Sequence, residues 1–513
     1  MPLDGAPVRS GRGERRIALA VFLFALLVYN VNLRDISTGD SFSARFLPLA
    51  LLCHGTLYLD PVAEAARMER PLGPEAYWLV TTPGGRLASR YPIVMPLLVT
   101  PLYVPTALYL SYRGWGDLRR VEIAAELTEK AAAATVAAAC SALMYLLLRR
   151  RLQRGRALLL TLAFAFGTET WSISSQALWQ HGAAELFAIV ALLAVTGKPT
   201  RLALAAAGAA SGLLIAARPP DLILAAGFAV YAALWARPRR LALWFAAGAA
   251  APLALLAIYN VTVFGTLRGG YAAGFGNGSF AGLGNGLFTG IANGPFYPLW
   301  VGLAGELFSP GKGIFVYMPF LLFLVLLPGH LRRRAAEEPL DPTPAARAAP
   351  TAGAAPTAGA APAARTAPTA PAAGAARSLA LCMAVAAALL ILFYAKADWR
   401  GGWCYGPRFV TDALPLLVWL LAPIVASLGR RGLACFAAAT CLAVFIQAVG
   451  VFCYPRGNSS GRMEVAANAA DPRIKAWSWA DAPPLVELRA GPTRAFFIDI
   501  LAGKRHYPGG TSP

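Results

Sequence analysis

Residues 241–259 read LALWFAAGAAAPLALLAIY, and residues 17–29 read IALAVFLFALLVY; neither block contains a charge. A hydrocarbon core about 30 Å thick is crossed by roughly 20 apolar residues in helix. Backbone polar groups in lipid are satisfied only in helices or closed barrels, and these blocks show no alternation of period two. They therefore predict transmembrane helices. Similar blocks recur along the 513 residues, of which 57% are hydrophobic and 14% charged. Soluble domains carry about 25% charged residues. The predicted fold class is an all-α polytopic integral membrane protein with about eleven transmembrane helices.

Charge orders the blocks. The net charge is +20, but the arginines gather in short loops: 149–156 (RRRLQRGR), 198–201, 237–240, 332–334 and 430–431. Cytoplasmic loops carry such clusters, so this pattern predicts membrane topology rather than nucleic-acid binding. The expected spans are about 16–33, 122–148, 157–174, 178–196, 202–217, 220–236, 241–263, 313–329, 378–396, 411–428 and 432–453. The N-terminal tail 1–15 is then cytoplasmic, and the C-terminal tail 455–513 is extracytoplasmic. No small-x-small cleavage site follows the first block, which reads as an uncleaved anchor. The stretch 92–112 is apolar but holds Pro92, Pro96, Pro101 and Pro105, and a span there would turn the 149–156 cluster outward. It is expected to lie in the outer interface or to be re-entrant, inside an extracytoplasmic segment 34–121. Residues 335–377, with APTAGA repeats, have no core-forming residues and read as a disordered cytoplasmic linker. Asn-Gly pairs at 277–278, 285–286 and 293–294 predict serial turns. Seven scattered cysteines show no metal or disulfide framework. The Ala/Arg/Pro/Gly-rich composition suggests a bacterial source, hence an inner (plasma) membrane.

The unusual polar residues fall on the outer side. In 34–60, Asp40 precedes a run with helical apolar period and carrying Arg45. It is either a helix N-cap or a carboxylate held at the lipid–water boundary. In 175–187, Gln180, His181 and Glu185 begin a helix, with His181 and Glu185 on one face. They are either a polar interfacial cap beside Trp179 or functional groups at membrane depth. Arg218-Pro219-Pro220-Asp221 is an outer turn whose arginine needs an anionic partner, Asp221 or a lipid phosphate. In 396–412 (KADWRGGWCYGPRFVTD), Trp399, Trp403 and Tyr405 suit the interface, whereas Lys396, Arg400 and Arg408 suggest a phosphate site.

In this order the motifs resemble GT-C glycosyltransferases of the protein-O-mannosyltransferase and aminoarabinose-transferase type. The matching pieces are Gly39-Asp40-Ser41 through His54-Gly55, the proline-rich 91–105, Arg218-Pro219-Pro220, and Arg408 through Pro415. The likeness covers about the first 450 residues. It implies a polyprenyl-phosphate-sugar donor, an extracytoplasmic glycan, lipid or protein acceptor, and transfer with inversion. Asp40 would be the catalytic base. Arg218, Arg408 and Lys396 would hold the donor phosphate, and Arg45, His181, Glu185 and Tyr405 would contact substrate. No cofactor is assigned. The resemblance leaves room for a divalent metal, although Ser41 stands where the family has a second acid, and Gln180-His181 stands where an Asp is common. A transporter or flippase of lipid-linked sugars is the alternative reading.

Overall fold

A computed structural model describes residues 11–63, 78–236, 238–270, 298–336, 370–397, 399–459, 476–493 and 497–498. The described chain is mostly helical, and six of its helices are long and apolar enough to cross a membrane. Their outer faces fit lipid: Leu243 and Leu255 are each 69% exposed, in a helix with no charge between them. The Asn-Gly turns at 277–294 and most of the linker (337–369) lie outside the described residues.

The first helix, α1 (Arg12–Asn30), packs along α5 (Leu118–Arg149). Between them come α2 (Gly39–His54), a hairpin of β1 (Leu79–Thr81) and β2 (Leu87–Ser89), α3 (Val94–Val99) and α4 (Val104–Arg113). The hairpin pairs Leu79 with Ser89 and Thr81 with Leu87; its alternation is too short to read as strand. The four prolines do not end the helix of 94–113. A 3-10 turn, Thr100–Tyr103, joins α3 to α4, and Pro101 and Pro105 sit at first-turn positions. There a missing N–H costs nothing. This helical stretch packs against α2.

Next come α6 (Arg154–Phe166), a π-helical turn at Thr170–Ser174, α7 (Gln180–Val195), α8 (Arg201–Ala217), α9 (Leu222–Trp235) and α10 (Ala242–Phe264). α8 and α10 touch through small residues: a Cβ on Gly208 would lie 1.9 Å from the Phe245 carbonyl oxygen, and one on Gly248 2.1 Å from that of Ala205. Small residues let membrane helices approach this closely. α11 (Leu299–Phe308), α12 (Ile314–Tyr317) and α13 (Leu327–Ala336) follow, the last two bridged by the 3-10 stretch Pro319–Leu326. One continuous helix is expected for 313–329; Met318-Pro319 interrupts it. α14 (Ala370–Ala397) begins eight residues before its expected start, inside the expected linker, because alanine favours helix. α15 (Leu414–Ser427) and α16 (Arg430–Cys453) complete the bundle, and α17 (Pro483–Ala490) caps it.

The basic stretch 149–156 is a clasp rather than a free loop. Glu14 of α1 accepts from Arg149 Nε and Nη2, both at 3.0 Å, from Arg154 Nη2 at 2.9 Å and from the Tyr145 hydroxyl at 2.5 Å. Arg150 donates to the Leu193 carbonyl at the end of α7, and Arg156 to that of Leu428 beyond α15. Arginine at a helix C-terminus meets orphan carbonyls and the negative end of the dipole. The ends of α5, α7 and α15 and the starts of α1 and α6 thus share one side of the bundle.

The Arg149 and Tyr145 hydrogen bonds hold the Glu14 carboxyl well below its usual range despite its burial. A depressed folded-state pKa contributes stability above the unfolded value near 4.5, and that stability is lost as pH falls below it. Glu14→Gln should lower the melting temperature of detergent-solubilised protein at pH 7. The gap between Glu14→Gln and wild type should narrow as pH drops below about 4.5. A gap independent of pH would mean that the Glu14 charge does not matter.

Candidate active site

Asp40 is not the N-cap of α2. Thr38 is: its Oγ1 accepts from the Asp40 N–H at 3.4 Å. Asp40 stands one residue inside the first turn, where a negative charge suits the helix dipole. Its side chain is 25% exposed. Arg408 donates to Oδ2 at 2.6 Å, and the Tyr91 hydroxyl to Oδ1 at 2.5 Å. Burial raises this carboxyl, but the Arg408 charge and the two hydrogen bonds outweigh it, leaving Asp40 below the usual carboxylate range. The Arg408 guanidinium lies 4.8 Å from the Trp179 ring centroid and 5.0 Å from that of Phe409. The Trp179 ring therefore stacks against a cation in addition to any anchoring role.

A second ion pair adjoins the first. Arg218, at the end of α8, donates to Asp412 Oδ2 and, at 3.0 Å, to the Tyr394 hydroxyl. The His181 Nδ1 of α7 is 2.8 Å from Asp412 Oδ1 and 2.9 Å from Arg218 Nη1. It serves one neighbour at a time: protonated, Nδ1 donates to Asp412, and unprotonated it accepts from Arg218. Asp221, one of the two partners expected for Arg218, is fully buried beside Asp412 and Arg218. Phe409 joins the two pairs. Its ring stacks on Tyr394 at 4.5 Å and lies 5.6 Å from the Arg218 guanidinium on top of its contact with Arg408. Two guanidinium groups thus share one aromatic ring beside one accessible carboxylate. Such a group can take a proton and stabilise an adjacent anion.

The segment carrying Arg408 is shaped from below. Buried Lys312 donates to the carbonyls of Gly402 at 3.3 Å and Cys404 at 2.7 Å. Gly402 and Gly406 have φ of 66° and 75°, which side chains other than glycine's rarely adopt.

Of the sequence-predicted residues, Asp40, Arg408, Arg218 and His181 come together. Arg45 does not join them. It is buried in a separate network, paired with Glu129 and, at 2.8 Å, with Asp35, so it fastens α2 to α5. Tyr405 is a packing residue: it is buried against Tyr317 and Tyr454, and its hydroxyl donates to the Ile446 carbonyl at 2.7 Å. Glu185 faces the bundle interior and accepts from Thr170 Oγ1 at 2.6 Å. Lys396 is half-buried in the last turn of α14, two residues past Tyr394. Sequence reasoning did not single out Tyr91, Tyr394, Phe409 or Lys312. Asp412 was legible as a charge opening an apolar helix.

The residues do not fit a divalent metal. Among those described, no three His, Cys, Asp or Glu side chains are arranged to hold one. Ser41, in the place of a second acid, turns its hydroxyl to the Thr38 carbonyl at 3.1 Å, and the Asp40 and Asp412 carboxylates each face an arginine. Compared with known proteins, the chain matches no family model, no curated protein and no solved structure.

Burial separates the two pairs energetically. Removing one partner of a fully buried pair costs about 3–5 kcal/mol, because the other charge is left uncompensated. Arg218→Met strands Asp412, which is inaccessible, and should destabilise by about that amount; adding Asp412→Asn should recover part of it. Arg408→Met strands only the partly hydrated Asp40 and should cost less. Thermal or denaturant unfolding of the four proteins measures this, and equal costs for the two arginine variants would contradict it.

Proposed function

We propose that the chain is a multi-pass membrane glycosyltransferase that moves a sugar from a polyprenyl-phosphate donor to an extracytoplasmic acceptor. In this reading it crosses a bacterial inner membrane about eleven times. The arginine clasp and N-terminus are cytoplasmic, and the Asp40 site and C-terminal tail lie on the outer side. The observation that carries the reading is the direct Asp40–Arg408 pair beside Arg218. It joins the two motif positions that the GT-C resemblance assigns to the base and to the donor phosphate.

The chemistry follows from these groups. Asp40 accepts the proton of the acceptor hydroxyl as its oxygen attacks the anomeric carbon. The bond from that carbon to the phosphate oxygen breaks in the same displacement, which inverts the centre. The lipid phosphate leaves as an anion that Arg408 and Arg218 stabilise, with Lys396, in the last turn of α14, as the further cation the resemblance assigns. Arginine suits this role because its planar fork matches phosphate oxygens in pairs.

A second reading, a transporter or flippase of lipid-linked sugars, draws on the interior around the π-helical turn. There Glu169 and Glu185 are fully buried among Thr168, Thr170, Ser172 and Ser174, with Gln447 donating to Glu169 at 3.2 Å. Broken helices with buried polar groups are common at transport sites.

Purified protein presented with a panel of radiolabelled polyprenyl-phosphate sugars separates the two. The transferase reading expects donor consumption by wild type and a loss of about 10²–10⁴-fold in folded Asp40→Asn. No consumption by wild type, with lipid-linked sugar crossing proteoliposomes in a manner abolished by Glu185→Gln, would establish the second reading instead.

A further inference from the structure

The Asp40 carboxylate is held at both oxygens by donors of different kinds. Arg408 is the charged donor, and it is also the cation that an anionic ligand of this site would recruit. Tyr91 is a neutral donor, and it reaches the other carboxylate oxygen of Asp40 from just beyond β2. Its placement is braced. Ser89 Oγ lies 2.8 Å from both the Tyr91 carbonyl oxygen and Ser43 Oγ, and accepts from the Tyr91 N–H at 3.1 Å. Ser43 is on α2, about one turn from Asp40, so the hairpin is docked on the helix that carries the carboxylate.

We propose that Tyr91 is a positioning residue for Asp40: its hydroxyl keeps the carboxylate oriented and ionised when Arg408 turns to an anionic ligand. This rests on the transferase reading. A base whose only donor was Arg408 would lose its support at the moment of use, because the leaving phosphate competes for the same guanidinium. A phenol does not follow a phosphate in this way. Its pull on Asp40 survives, because a hydrogen bond to the charged form favours that form.

Groups facing Asp40 include Tyr91 beyond β2, Arg408 before α15 and His181 on α7. Removing the phenol leaves Arg408 and His181 in place and raises Asp40 toward the usual carboxylate range, so the acid limb of the kcat/KM profile moves to higher pH. A hydrogen bond to a charged group corresponds to a shift of about one to two units.

The test uses the full-length protein, with kcat/KM measured against pH on a polyprenyl-phosphate sugar. In Tyr91→Phe the acid limb should move up by about one to two units, with donor KM unchanged. Asp60→Asn is the control. Asp60 accepts from the Leu87 N–H at 3.0 Å and from Arg86 at 3.3 Å, so it fastens the hairpin without touching Asp40, and its limb should stay. An unmoved limb in Tyr91→Phe overturns the proposal. An equal shift in Asp60→Asn overturns it too, because Tyr91 would then act only through the hairpin. Infrared difference titration of the Asp40 carboxylate, wild type minus Asp40→Asn, reads the same midpoint without turnover. An upward shift there in Tyr91→Phe, with an inactive wild type, would uphold the pairing and remove the transferase reading instead.

Discussion

A charge that leaves water must meet its opposite or lose its charge, and in a bilayer this constraint is close to absolute. The whole arrangement answers to it. Arg218 and Asp412 come from segments 194 positions apart, and Asp40 and Arg408 from segments 368 apart. Each pair exists only if α2, α8 and the start of α15 converge at one end of the bundle. The Glu14 clasp imposes the same requirement at the other end, tying α1 to α5 and α6 while neighbouring arginines cap α7 and α15. The ion pairs therefore report helix polarity as well as local chemistry. α1, α6 and α8 run from the clasp toward the site, and α5, α7 and α15 run back.

Between those ends the packing is apolar and close. The glycine contacts of α8 with α10 bring backbones together where larger side chains would hold them apart. The break at Thr170–Ser174 serves a different purpose. It turns a run of hydroxyl and amide side chains inward and delivers the Leu178 N–H to Glu129 at 2.9 Å. One segment thus anchors the buried Arg45 network and leads directly into Trp179 and His181 of the candidate site.

The site combines groups with different solvent access. Asp412 and Asp221 are sealed, whereas Asp40 keeps a quarter of its surface. A base must meet its substrate, and a framework charge need not. That contrast separates Asp40 from the other carboxylates in the cluster more clearly than its position in any motif does. It also explains why the buried Arg45, although only five residues from Asp40, belongs to the scaffold.

The sequence by itself determined the helical class and the positions of most of the described helices, because hydrophobic length is a local property. It also singled out Asp40, Arg218, Arg408 and His181, since a charge at the end of an apolar helix stands out against its neighbours. Only the tertiary structure decided which of these meet. Arg45 and Arg408 look alike in one dimension, yet one is buried against Glu129 and the other holds an accessible carboxylate. Tyr91 had no signal at all: a tyrosine beside a proline-rich stretch is ordinary until the hairpin turns its hydroxyl onto Asp40. Pairing across hundreds of residues is set by the packing of whole helices, and no local pattern encodes that.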